Sequence, residues 1–376
     1  MKKVIKNIFN VIGWILIVLL ILFVILTIIC ACMKKTLRQK NMDILETDGF
    51  VNLVSAGDFD MNVNIFGDGK YKIIAMPGSG DASAPIDMKK LSEHLSDDIS
   101  IVAVNRPGYG ISCETKKDIT TEYIVESTRT ALKNAGVEAP YILMPHSMSG
   151  PYATYWENKY PEEVSGVIFM DSMSTADEVP EEGFPKLMIN GMAAIGTFAN
   201  KTGWTTMRNT LFAEEYDDYG EYAKDALAFD KASVPNFGEI KNYSINMKTA
   251  WDSIQANDIP KVYISTEFET LEDVKEYLMY IYGEVDEELA QARFEESKDE
   301  WHTEHNKKTS EYCESLGNYE KVNIPGSHGI SDQHPEELAR EIERLINRIK
   351  ATPHRDCGAD AQSDFTADCA EILQAY

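Results

Sequence analysis

The residues with the clearest chemical potential are Pro145-His146-Ser147-Met148-Ser149-Gly150. They follow the apolar run Tyr141-Ile142-Leu143-Met144, and a helical pattern begins directly after them. A strand that turns this abruptly into a helix lifts one side chain above the sheet's carboxyl edge. It also aims the next backbone N–H into the same space. A serine held there can attack a carbonyl carbon once a base takes its proton, and a neighbouring N–H can stabilise the oxyanion that forms. The spacing makes Ser147 the candidate nucleophile and the N–H of Met148 a candidate oxyanion donor. Small residues two positions before and after a nucleophile let strand and helix approach. Ser149 meets that condition and Pro145 meets it in part. Ser149 as nucleophile would put Pro151 at the small position. The plain alternative is an ordinary strand–loop–helix with incidental serines, because a short motif stays a hypothesis until its context is known.

Four further segments carry related patterns. Met76-Pro77-Gly78-Ser79-Gly80 follows one apolar run, and Asn105-Arg106-Pro107-Gly108-Tyr109-Gly110-Ile111-Ser112 follows another and reads as a tight turn. Tyr160-Pro161-Glu162-Glu163-Val164 leads into a run ending at Asp171. Ile324-Pro325-Gly326-Ser327-His328-Gly329 precedes a closing helix that begins near Pro335. Taken with the serine turn, these segments resemble the α/β-hydrolase family over roughly residues 50–350, insertions apart. P-H-S-M-S-G stands where that family carries G-H-S-M-G-G. N-R-P-G-Y-G-I-S stands for D-x-P-G-x-G-x-S, and M-P-G-S-G occupies the place of H-G-x-G. The resemblance implies His328 as the base, since the family keeps its histidine on the loop after the last strand. It implies the N–H of Ser79 as the second oxyanion donor. For the acid that orients the histidine, Glu269 matches the family's turn after the penultimate strand. Asp171, at the end of the strand before, is the alternative that some members use, and Glu267 is third. A serine nucleophile disfavours the dehalogenase and epoxide hydrolase branches, which use aspartate.

The other histidines suggest no metal site. His94, His334 and His354 lie in polar helical or tail settings, and His146 belongs to the serine turn. His302 and His305 are spaced H-x-x-H in a charged segment without a third ligand, which reads as a solvated helix face. With no metal cluster and no phosphate-cradling glycine loop, neither a metal nor a cofactor is expected.

Positioning these groups requires a sheet. Strands are expected at 51–55, 61–66, 71–76, 100–104, 141–144, 166–170, 261–265 and 319–324, with helices at 119–135, 150–160 and 335–349. Most of the later runs are continuously apolar, as strands covered on both faces must be. The alternation predicts an α/β fold with a mostly parallel central sheet and helices on both faces. Its core spans 41–176 and 258–350. Residues 177–257 read as a helical cap insertion that should shape the substrate pocket, and 271–317 as a second, charged helical insertion. Residues 351–376 read as a peripheral tail, where a Cys357–Cys369 disulfide is as open as free thiols.

In front of this domain, residues 1–40 read as an anchor. Val11–Met33 is an uncharged run of 23 residues, enough to cross a hydrocarbon core of about 30 Å as one transmembrane helix. A cleaved signal peptide is the alternative. Basic residues flank both ends and leave orientation open, with the extracytoplasmic side favoured for the domain. Of 36 basic residues, seven lie in the first 40, which hold no acid; the remainder sets 29 basic against 61 acidic residues, a formal charge of −32. Such a surface excludes nucleic acid as a partner. The expectation is a membrane-anchored serine hydrolase acting on a small-molecule or lipid-like ester, thioester or amide. The alternative is a membrane-tethered binding or regulatory protein that keeps the fold without turnover.

Overall fold

The computed structural model of the chain describes residues 2–174, 186–211, 222–232 and 237–351. It opens with one long helix, α1 (Lys2–Thr47). Its 10–47 portion is long and apolar enough to cross a membrane. Eight strands follow: β1 (Leu53–Ser55), β2 (Asp60–Phe66), β3 (Tyr71–Met76), β4 (Ile99–Val104), β5 (Tyr141–Pro145), β6 (Val164–Met170), β7 (Lys261–Ser265) and β8 (Tyr319–Asn323). They match the eight expected strands, with bounds moved by one or two residues. All lie in one sheet of order β1-β2-β4-β3-β5-β6-β7-β8. The pairs β1–β2 and β2–β4 are antiparallel, and every later pair is parallel.

Three helices cross between the early strands: α2 (Ala84–Ser92), α3 (Thr121–Asn134) and α4 (Gly150–Lys159). Five lie between β6 and β7: α5 (Lys186–Lys201), α6 (Trp204–Leu211), α7 (Ala223–Ala232), α8 (Phe237–Lys241) and α9 (Tyr243–Ser253). Three lie between β7 and β8: α10 (Leu271–Tyr282), α11 (Glu287–Glu296) and α12 (Glu300–Leu316). The short α13 (Ile330–Gln333) and the amphipathic α14 (Pro335–Ala351) end the described chain. Residues 212–221 of the expected cap insertion, and Cys357 and Cys369, lie outside the described residues.

Successive strand side chains point to opposite faces, so the continuous apolar runs build two cores. Ile74, Val102, Leu143 and Val167 pack on one face against Ile124 and Leu132 of α3 and Trp156 of α4. Ile73, Ile101, Ile142 and Ile168 pack on the other against Leu91 of α2 and Leu338, Ile342 and Leu345 of α14. Each such side chain contributes about 1.5–3 kcal/mol when fully buried. Two packed layers clamp the middle strands and make the carboxyl edge of β3, β5, β6 and β7 a rigid platform.

Candidate active site

The platform's edge carries the chemistry. Ser147 lies two residues past the end of β5, in the left-handed region at φ 49°. A non-glycine residue held there is strained, and such strain concentrates where a side chain must be aimed. Gly78, in the loop after β3, comes so close that a Cβ on it would lie 3.2 Å from Cβ of Ser147 and 2.9 Å from Nδ1 of His146. Only glycine lets that loop reach the serine.

Asp171 ends β6, also at positive φ, 38°. His328 lies on the loop after β8. Its Nδ1 bonds Oδ2 of Asp171 at 2.6 Å, and Thr266 Oγ1 donates to the same oxygen at 2.9 Å. The carboxylate raises the His328 pKa above its ordinary value, because it stabilises the imidazolium. His146 steadies His328 from the other side. Its Nε2 lies 2.8 Å from the His328 carbonyl oxygen, and the two rings stand 4.5 Å apart. A carbonyl only accepts, so Nε2 of His146 carries the proton. Burial pushes its pKa down to about 4 and keeps it neutral.

The structure thus brings Asp171, not Glu269, to His328, which reverses the order expected from the sequence. The reason is local. Thr270 and Asp273 form a capping box that starts α10. Oδ2 of Asp273 accepts from the N–H groups of Glu269 and Thr270 at 2.8 and 2.7 Å. This winds the turn so that the Glu269 side chain runs to β8, where it accepts from Asn323 Nδ2 at 2.8 Å. Glu267 is taken by Lys321 Nζ, also at 2.8 Å.

The loop carrying Ser79 is tied down by a buried network that sequence reasoning missed. Arg106, 2% exposed, donates through Nη1 to the Pro77 carbonyl and through Nη2 to the Gly78 carbonyl at 2.9 Å. Tyr109 Oη accepts from the Gly80 N–H at 3.2 Å. Both side chains converge on Glu239 of α8. Arg106 Nε pairs with Oε1 at 2.6 Å, and Tyr109 Oη donates to Oε2 at 2.5 Å. Tyr152 of α4 donates to Oε1 at 3.1 Å. The serine at position 149 joins this set. Its Oγ donates to the Pro77 carbonyl at 2.5 Å and accepts from Arg106 Nη1 at 2.7 Å. The departure from glycine therefore adds a strap between the serine turn and the loop after β3.

Residues 74–276, just over half of the 376, match the sequence profile of the alpha/beta hydrolase fold family. The chain belongs to that family. An uncharacterised Bacillus subtilis (strain 168) protein, YbdG, is 40% identical over 133 residues, which are 35% of this chain and 41% of that protein. The chain spans less than half the length of the curated relatives it matches. Among solved structures, an esterase from Thermogutta terrifontis (malate bound) superposes with a TM-score of 0.51 at 14% identity, covering 80% of this chain and 98% of that one. The epoxide hydrolase CorEH does so with 0.53 at 11% identity, covering 79% and 98%. At such identities the likeness is one of fold.

In this α/β-hydrolase a cavity of about 600 Å³ opens at Asp171 and His328. Phe268, Arg293, Trp301 and His305 help to line it. Trp301 and His305 stack with centroids 5.2 Å apart, so this H-x-x-H pair shapes a wall. These residues come from the 271–317 insertion and the turn before it. Among the described residues, that insertion and not the cap encloses the space. No group of three or more His, Cys, Asp or Glu side chains among the described residues could hold a metal ion.

Proposed function

We propose that this chain is a serine hydrolase that transfers the acyl group of an ester, thioester or amide to water. Asp171 holds His328 with Nε2 free to take the proton of Ser147 Oγ. The alkoxide attacks the substrate carbonyl, and the tetrahedral oxyanion is stabilised by the N–H groups of Met148 and Ser79. His328 then returns the proton to the leaving group, and the acyl-enzyme forms. A water, deprotonated by His328, releases the acid and regenerates Ser147. The helix α1 anchors the enzyme to a membrane, and the cavity beside His328 admits a small-molecule or lipid-like acyl substrate. The observation that carries this reading is the 2.6 Å bond between His328 and Asp171 at the same sheet edge as the strained Ser147. A fluorophosphonate reagent tests it. The full chain should take up the label on the peptide containing Ser147, and Ser147→Ala should remain folded and unlabelled. A folded wild-type chain that refuses the label would overturn the proposal and favour a fold kept for binding without turnover.

A further inference from the structure

The later part of α1 packs on α7, and its apolar part meets α5 and α6 along one stripe. Phe23, Thr27, Cys30 and Lys34 recur at helical spacing on one face of α1. Phe23 stacks on Phe198 and Trp204 with centroids 6.4 and 5.7 Å away. Trp204 Nε1 donates to Thr27 Oγ1 at 3.1 Å. Gly203 lies over the Cys30 carbonyl, and Lys34 Nζ donates to the Asn200 carbonyl at 2.8 Å. Three of the four stripe residues belong to the uncharged run that ends at Met33. Phe23 lies ten residues before that end, or about 15 Å along a helix. If the run spans a bilayer, the end of α5 and the start of α6 cannot sit in water above it.

The composition of those helices agrees. Met188, Met192, Ile195 and Phe198 recur at spacings of four and three along α5 and are 44%, 61%, 72% and 48% exposed; Leu211 of α6 is 69% exposed. The segment 186–211 contains no acid, in a chain with 61 of them. A stripe of this kind on a water-facing surface would be a liability. In the interface it is the pattern by which a helix seats its apolar face about 5–10 Å into the acyl boundary. The stripe meets the lipid-facing surface of α1 at Phe198. The Lys34–Asn200 contact lies at the end where charge begins.

We infer that α5 lies in the same membrane leaflet as the later part of α1, so that the cap is seated in lipid. The occupant of the exposed α5 face is the bilayer. This rests on α1 spanning the membrane and is independent of the hydrolase reading. It gives the cap's position a mechanical consequence, because α5 packs on α8, whose Glu239 holds the arginine that fixes the Ser79 loop.

Photo-crosslinking of the full chain in phosphatidylcholine vesicles with labelled acyl chains tests it. p-Benzoylphenylalanine is placed at Ile195, at Leu19 within α1, and at Tyr282, an exposed residue at the end of α10. A seated α5 predicts lipid adducts at position 195 within about twofold of those at 19 and about tenfold above those at 282. Adducts at 195 as scarce as at 282, with position 19 labelled, would overturn the inference. So would crosslinking of 195 to a second copy of the chain, or a failure of position 19 to reach lipid. Fluorophosphonate labelling in the same vesicles reports on Ser147 alone, so loss of that signal strikes the proposed chemistry and leaves the crosslinking result standing.

Discussion

Arg106 and Glu239 form an ion pair of 2.6 Å in which each side chain is only 2% exposed, and the pair links the cap to the loop after β3. Burying two charges is expensive, and their mutual attraction rarely leaves a large surplus. What the pair supplies is position. Arg106 fills two carbonyl acceptors of the loop, and Glu239 holds Arg106 and Tyr109 against them.

Glu239→Gln should therefore cost more than one hydrogen bond. It leaves the guanidinium buried without a counter-charge, a loss of about 3–5 kcal/mol of stability. A loop displaced by about 1 Å lowers turnover by roughly a hundredfold. The expected signature is a fall in kcat with little change in KM, alongside a lower denaturant midpoint. An unchanged kcat in a folded variant would reduce the pair to a structural contact.

Asp171→Asn should lower turnover by roughly 10⁴, as removal of a charge that orients a catalytic histidine does. Glu269→Gln should change it by no more than about threefold, since its carboxylate serves Asn323 at the sheet's edge and an exposed polar contact is worth little. Steady-state kinetics on both variants decides. A larger effect at Glu269 would return the acid to the turn after β7.

The pH profile follows from the same bond. His328 must be neutral to accept the serine proton, and Asp171 raises its pKa above 6.5. Activity should thus climb with pH through a midpoint above 6.5. In Asp171→Asn the stabilisation of the imidazolium is gone, so the residual activity should climb through a lower midpoint. His146, neutral above about 4, contributes no step in this range. Profiles of kcat/KM from pH 5 to 9 check both directions, and an unmoved midpoint would mean that Asp171 does not set the base's proton affinity.

Much of this arrangement is legible in the residues themselves. β4 and β5 are buried along their whole length, so ISIVAV and YILMP are apolar but for Ser100 and the Tyr141 hydroxyl, and the strands stand out. The serine turn and the His328 loop carry motifs that local geometry demands. The acid is less legible because Asp171 and Glu269 both follow strands, and the choice between them depends on how α10's capping box winds the turn. Arg106 and Tyr109 stand in a turn that the sequence marks only by its glycines. Their role needs Glu239, more than a hundred residues away on a helix without a motif. The 600 Å³ cavity is equally hidden, since its walls come from a charged insertion whose polar helices resemble solvated surface.

The close approach of α6 to α1 depends on Gly203. This residue sits at φ +84°, and a Cβ on it would fall 2.3 Å from the carbonyl oxygen of Cys30. That oxygen belongs to the backbone of a continuous helix and cannot swing aside as a side chain would. Gly203→Ala should therefore push α6 away from α1, with a left-handed strain of about 1–3 kcal/mol added to the clash. Gly191→Ala is the matched control. It lies in α5 of the same cap with nothing within 4 Å of the added carbon, and there alanine should stabilise the helix by about 0.5–1 kcal/mol. Trypsin reads the difference at Lys201, an exposed residue at the end of α5. Local opening governs cleavage at such a site, and each 1.4 kcal/mol of lost docking raises the open population about tenfold. In vesicles, Gly203→Ala should be cut at Lys201 about tenfold faster than wild type, and Gly191→Ala no faster. Equal rates for the two variants would mean that α6 does not rest on Cys30.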